Sequence, residues 1–148
     1  MNSDFEELLN IFNENEVRYL IVGGHAVMLY TEPRYTKDLD VWVEASAENA
    51  IRVFRALASF GAPLSGLSPD DFAHEGFFYQ IGIPPARVDI LMSLDGVRFE
   101  EAWPNRKESA IGAQRAFFIG RAELIKNKRA VGRHIDLHDA DLLENDSA

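Results

Sequence analysis

Asp38 and Asp40 stand two residues apart in the stretch Thr36-Lys-Asp-Leu-Asp-Val-Trp-Val43. On an extended strand that spacing sends both carboxylates to the same face. Leu39, Val41 and Val43 are apolar, so the strand is otherwise buried. Two carboxylates on one face, ~4.5–7 Å apart, repel each other unless a cation or a proton lies between them. Oxygen ligands of this kind suit magnesium, which keeps waters and phosphate oxygens in its own shell. A third acid, Asp89, lies in a second strand-like run, Arg87-Val-Asp-Ile-Leu91. The bland alternative is that Asp38 caps a strand while the other two form salt bridges. Without such compensation an aspartate inside an apolar strand is costly.

A glycine pair precedes the acids. Ile21-Val-Gly-Gly-His-Ala26 reads as a buried strand that ends in a turn. Gly23 and Gly24 allow a positive φ and a close ligand approach, although an ordinary strand-to-helix turn would use them too. A short helix from His25 to Tyr30 would start on that turn. Free N–H groups at a helix start favour an anion such as a triphosphate. His25 is either a phosphate contact or, as we favour, a partly buried polar group. Thr36 and Lys37 precede the acid pair and would line the pocket, unless Lys37 is only a charge at the strand entry. Arg34 is equally open.

Gly-Gly, about a dozen residues, Asp-x-Asp with apolar flanks and then a third strand-borne acid resemble the polymerase-beta-like nucleotidyltransferase superfamily. Many members carry Gly-Ser where this chain has Gly24-His25. The Gly-Gly form is similar to a subset that includes abortive-infection and other toxin-type nucleotidyltransferases. Leu124-Ile-x-x-Lys128, then Arg133-x-x-Asp136-x-x-Asp139, looks like the C-terminal motif of the same subset. The resemblance implies magnesium-dependent transfer of a nucleoside monophosphate from a nucleoside triphosphate to a hydroxyl on RNA, protein or a small molecule. It implies two magnesium ions, with Asp38 and Asp40 on both and Asp89 on the catalytic one, where it could help deprotonate the acceptor. It also implies that Lys128 and Arg133 contact phosphates and that the following acid orients the site, with a solvated helix face as the alternative. A toxin–antitoxin role is one expectation. A catalytically silent binding module, an antitoxin-like partner subunit or a nucleotide sensor are the competing ones. The intact acid trio speaks for the enzyme.

The elements that must position these groups are also legible. Ser3 and Glu6 have capping-box spacing, and Phe5, Leu8, Leu9 and Phe12 mark one helical face. Residues 17–22 form a strand. Ser46 caps a helix over 47–60, with Ile51, Phe54, Leu57 and Ala58 inward and Gly61 as C-cap. Residues 62–75 are loop with a helical turn at 69–72. Strands over 77–82 and 87–92 form a hairpin joined through Pro84-Pro85. A helix over 97–103, a strand over 116–119, helices over 121–132 and 136–144 and a frayed tail from Asn145 complete the chain. The fold expected is α/β (α+β): a small mixed sheet of about four or five strands with helices on one side.

The chain has 148 residues, 47% of them hydrophobic and 26% charged, and reads as one domain. It has no cysteine, hence no disulfide framework and no thiolate zinc site. No apolar run reaches the ~18–20 residues of a membrane span. The acidic N-terminus does not resemble a signal peptide, so the cytoplasm is the default. A formal net charge of −9 argues against broad binding to a nucleic-acid backbone. Basic residues nonetheless crowd the C-terminal third, among them Arg106, Lys107, Arg115, Arg121, Lys126 and Arg129. His134 and His138 are four apart but lack the glutamate of a zinc-protease helix. There is little room for an acceptor-binding domain, so a partner protein or a second copy could supply one.

Overall fold

The computed structural model describes residues 3–83 and 85–145. Among them six strands form one mixed sheet. In chain order the elements are α1 (Ser3–Glu14), β1 (Tyr19–Val22), α2 (Gly23–Tyr30), β2 (Leu39–Val43), α3 (Ala47–Phe60), β3 (Phe78–Ile83), β4 (Ala86–Leu91), α4 (Phe99–Ala102), β5 (Lys107–Ile111), β6 (Gln114–Phe118), α5 (Arg121–Val131) and α6 (His134–Asn145). The strand order is β3-β4-β2-β1-β6-β5. β1 runs antiparallel to β2, while β2–β4 and β1–β6 are parallel. Two antiparallel hairpins, β3–β4 and β5–β6, flank this centre.

Five of these strands match those expected. The sixth, β5, raises the count beyond four or five. It is an edge strand of sequence Lys-Glu-Ser-Ala-Ile in which only Ile111 is buried. Such a segment carries little apolar alternation for a sequence reading to detect. The hairpin expected around Pro84-Pro85 is present as β3–β4, with Pro84 outside the described residues. The expected tail reduces to Asn145, which ends α6; the residues after it also lie outside. The helix expected over 97–103 is shorter, Phe99–Ala102, and passes into a 3-10 turn at Trp103–Asn105, where Pro104 has no N–H to continue it.

All four residues of β1 are buried, so both faces of the sheet centre are covered. On one face Phe12 of α1 meets Tyr19 edge-on at 5.7 Å, and α1 packs on α3 and β6. On the other, Trp42 meets Phe99 at 5.0 Å, Phe99 stacks on Trp103 at 5.7 Å, and Trp103 meets Phe117 at 5.9 Å. The expectation of helices on one side therefore gives way to a second layer, built by a four-residue helix and its aromatic neighbours.

α1 buries Phe5, Leu8, Leu9 and Phe12, as their spacing requires. Glu6 accepts the Ala113 N–H at 3.0 Å and so ties α1 to the β5–β6 turn. α3 is capped by Ser46, whose hydroxyl accepts the Asn49 N–H at 3.2 Å, and ends at Gly61 with φ +93°. Its inward face matches the one expected at Phe54 and Leu57 but not at Ile51 and Ala58. Ala50, Val53 and Leu57 are buried, whereas Ile51 is 46% exposed and Ala58 is also exposed. The rotation is fixed by Asn49, which is fully buried. Asn49 accepts the Arg18 N–H at 2.8 Å and donates to the Arg18 and Glu44 carbonyls at 3.1 and 2.9 Å. Leaving those groups unpaired would cost more than exposing one isoleucine.

The loop after α3 makes a 3-10 turn, Pro69–Ala73, that delivers Phe72 into a nest of Phe54, Phe77 and Tyr79 at 5.6–6.2 Å. Phe72 is completely buried. Phe72→Ala is expected to destabilise the fold by about 3–5 kcal/mol, read as a lower urea midpoint with an unchanged slope.

Candidate functional site

Strand register assembles the acids. Val22 lies opposite Asp40, and Asp40 lies opposite Asp89 across the parallel β2–β4 ladder. Residues in register share a face, so the two carboxyl groups lie side by side. The pKa of Asp40 is pushed up to about 6. Burial is the main cause, followed by the charge of Asp89, its hydrogen bond and the charge of Asp38; only the Lys128 charge opposes them.

Asp38 precedes β2 and is held by a residue that the sequence reading quoted only as a flank, Arg87. The Arg87 backbone N–H donates to Asp38 Oδ1 at 3.0 Å, and its Nε donates to Asp89 Oδ1 at 2.9 Å. Its Nη1 stands 3.6 Å from Asp38 Oδ2. The signal was available, because Arg87 and Asp89 are two apart on one strand and share a face. The three acids thus converge, with a guanidinium between two of them. Among the described residues no group of three His, Cys, Asp or Glu side chains stands arranged around one metal position.

The glycine turn abuts these acids. Gly23 has φ +68°, and a Cβ there would lie 2.1 Å from Asp40 Oδ2. A Cβ on Gly24 would lie 2.6 Å from the Thr36 hydroxyl. Only glycine lets β1 turn into α2 while the Asp40 carboxylate and Thr36 press against the turn. α2 therefore starts at Gly23 instead of His25, with its first N–H groups beside the acids. His25 is 7% exposed and meets Phe5 edge-on at 6.0 Å. Burial lowers its pKa, which keeps the ring neutral, and its Nε2 has no protein partner among the described residues. Lys37 is exposed at the entry to β2.

The C-terminal residues form a second, mostly buried network. α2 packs on both α5 and α6. Lys128 is 9% exposed, with its Nζ 3.5 Å from Asp136 and 3.4 Å from Asp139, and its charge reaches Asp40. Arg34 clamps Asp139 with two hydrogen bonds of 2.8 and 3.0 Å, which fastens the segment leading to Asp38 onto α6. Arg133 donates its Nε to Asp136 at 2.6 Å and leaves its side chain 72% exposed. The structure thus brings Lys128 towards Asp40 and gives Arg133 to Asp136. This carboxylate is held below its usual range, chiefly by that hydrogen bond.

Similar solved structures are nucleotidyltransferases. The chain is similar to the lincosamide antibiotic adenylyltransferase LnuA, solved with lincomycin bound, with a TM-score of 0.59 and 14% identity over 98% of this chain and 97% of that one. It is similar also to a candidate nucleotidyltransferase from Thermotoga maritima, with a TM-score of 0.56 and 13% identity over 95% and 88% of the two chains. No protein-family model matches the chain, and no curated protein matches it significantly in sequence. At these identities the likeness is one of fold: this chain has the nucleotidyltransferase fold. No helix among the described residues is long and apolar enough to cross a membrane.

A carboxyl group whose pKa is raised by folding destabilises the fold wherever it is ionised. For Asp40 that penalty is full above about pH 6 and fades as pH falls from there towards its ordinary value of 3.8. Asp40→Asn is therefore expected to raise the melting temperature of the metal-free protein by a few degrees at pH 7.5. The gain should shrink steadily between pH 6 and pH 4. Thermal denaturation across that range checks it, and a lower melting temperature at pH 7.5 would contradict it.

Proposed function

We propose that this chain is a magnesium-dependent nucleotidyltransferase, which moves a nucleoside monophosphate from a nucleoside triphosphate to a hydroxyl acceptor. One observation carries the reading: a half-buried Asp40–Asp89 carboxyl pair is held against the glycine turn that opens α2. Such a pair needs a proton or a cation between its oxygens. The oxygen-only donor set of Asp38, Asp40 and Asp89 fits a hard cation, and the N–H groups of α2 fit the phosphates that accompany it. These three acids would hold two magnesium ions. Bound there, magnesium would lower the pKa of the acceptor hydroxyl and neutralise charge on the departing pyrophosphate.

The chain's own groups do the rest. The Gly23–Gly24 turn seats the phosphates, and Thr36, His25 and Lys37 border that seat. Asp89 takes the proton of the acceptor hydroxyl as its oxygen bonds to the α-phosphorus. The bond from that phosphorus to the oxygen bridging to the β-phosphate breaks, and its electron pair leaves with pyrophosphate. Lys128 holds Asp136 and Asp139 in place while its field moderates the charge of Asp40. Arg133, paired and exposed, suits the α5–α6 junction better than a phosphate seat. The acceptor is a hydroxyl of RNA, protein or a small molecule, with a partner chain or a second copy available to present it. LnuA acts on a lincosamide antibiotic, so hydroxyl-bearing antibiotics belong in the assay panel. The guanidinium lying across Asp38 and Asp89 favours a second reading, a silent module of the same fold.

Calorimetry separates the readings. A triphosphate of about −4 charge faces three aspartates, so ATP should bind weakly alone and much more tightly with magnesium. Asp38→Asn should remove that dependence. Incubation with labelled triphosphates and RNA, protein or antibiotic fractions should transfer label to one of them. Tight magnesium-independent binding would indicate a sensor, and magnesium-dependent binding without transfer to any fraction would indicate the silent module.

A further inference from the structure

Arg87 lies two residues before Asp89 on β4, and both side chains leave the same face. Its guanidinium is always protonated and offers five N–H donors in a planar fork. One of them, Nε–H, is given to Asp89 at 2.9 Å, and Nη1 leans on Asp38 at 3.6 Å. The side chain is 49% exposed, so donors remain open to solvent.

We propose that Arg87 changes partners as the site fills: it neutralises Asp38 and Asp89 in the free protein and turns to the nucleotide's phosphates once a divalent cation takes those carboxylates. The inference rests on the nucleotidyl-transfer reading of the site. Its first support is competition. The oxygens that Arg87 holds are those a metal needs. A guanidinium and a divalent ion within a few ångströms of each other repel. Its second support is mobility. The Arg87 side chain is itself 49% exposed although its carboxylate partners are only 14–27% exposed, and solvent around the guanidinium screens both pairs. Its third support is that the other arginines near the site and the buried lysine are already committed, although Lys37 stands exposed at the entry to β2. Lys128 is buried between Asp136 and Asp139, and moving it would strip a cation from two buried carboxylates. Arg133 is bound to Asp136, and Arg34 to Asp139. Arg87 is the arginine at the acids that can swing, and its fork matches phosphate oxygens bidentately.

Partner exchange makes two predictions of opposite sign. The probes are manganese, followed by the loss of its free-ion paramagnetic signal, and ATP with saturating magnesium, followed by calorimetry. Without nucleotide, Arg87→Met and Arg87→Gln should bind manganese about tenfold more tightly than the wild type, because a competing charge has gone. With magnesium they should bind ATP about tenfold more weakly, because a charge-assisted contact has gone. Arg87→Lys should fall between, and agreement of the Met and Gln variants guards against a folding artefact. Unchanged manganese affinity would overturn the proposal, as would tighter manganese binding with undiminished ATP affinity, since Arg87 would then be a counter-ion only. A wild-type chain that binds neither probe would remove the nucleotidyl-transfer reading, and this inference with it. That failure differs visibly from a wild type that binds both while the variants do not diverge.

Discussion

The structure turns on the repulsion between two carboxyl groups that strand pairing forces together. β2 and β4 pair in parallel, and their register sets Asp40 opposite Asp89 in a half-buried place. A buried carboxylate is costly, and a second one in contact with it is costlier. The surroundings answer with charge. Arg87 lies across Asp89 and Asp38, Lys128 acts on Asp40 from α5, and the pKa of Asp40 rises so that it holds its proton up to about pH 6. None of these removes the cost entirely, and a strand pairing that keeps two acids in opposition is one suited to a cation.

The second constraint is space. The Asp40 carboxylate reaches so close to the first turn of α2 that a Cβ at Gly23, where φ is +68°, would displace it, and a Cβ at Gly24 would displace the Thr36 hydroxyl. The acids and the anion-favouring end of the helix thus share one wall of the site. A metal and a polyphosphate would there be bound by adjacent groups and would each lower the charge seen by the other. The sheet order supplies this juxtaposition, since β2 lies between β1, which ends in the glycine turn, and β4, which carries Asp89.

The C-terminal helices matter through the same electrostatics. Arg34 and Lys128 share the buried Asp139, so the segment that leads into Asp38 is anchored to α6 by charge. Lys128 belongs to this anchor and to the field around Asp40 together. Removing it would loosen the C-terminal packing and change the acid pair at once, so a defect in such a variant could not be assigned to phosphate binding by itself.

Much of this was decided by local sequence. The i, i+3, i+4, i+7 spacing of Phe5, Leu8, Leu9 and Phe12 made α1. Ser46 and Gly61 bounded α3 through their own capping chemistry, and the two-residue spacing of Asp38 and Asp40 kept the two charges close, with Asp38 just ahead of β2. The glycine pair marked the turn. These features depend on neighbours a few residues away, and backbone periodicity converts such spacing directly into geometry. What no local pattern contains is pairing between distant segments. Whether Asp89 meets Asp40 or slips by one residue to the opposite face is set by the register of strands some fifty residues apart in sequence. The rotation of α3 was set by the buried hydrogen bonds of Asn49 to Arg18 and Glu44 rather than by its apolar residues. β5 exists because β6 offers it a ladder, and its own side chains, mostly exposed, record no preference. The placing of Arg87 across the acids and of Lys128 between two aspartates likewise belongs to the tertiary structure, since charges choose partners by distance in space and the sequence fixes only which charges are available.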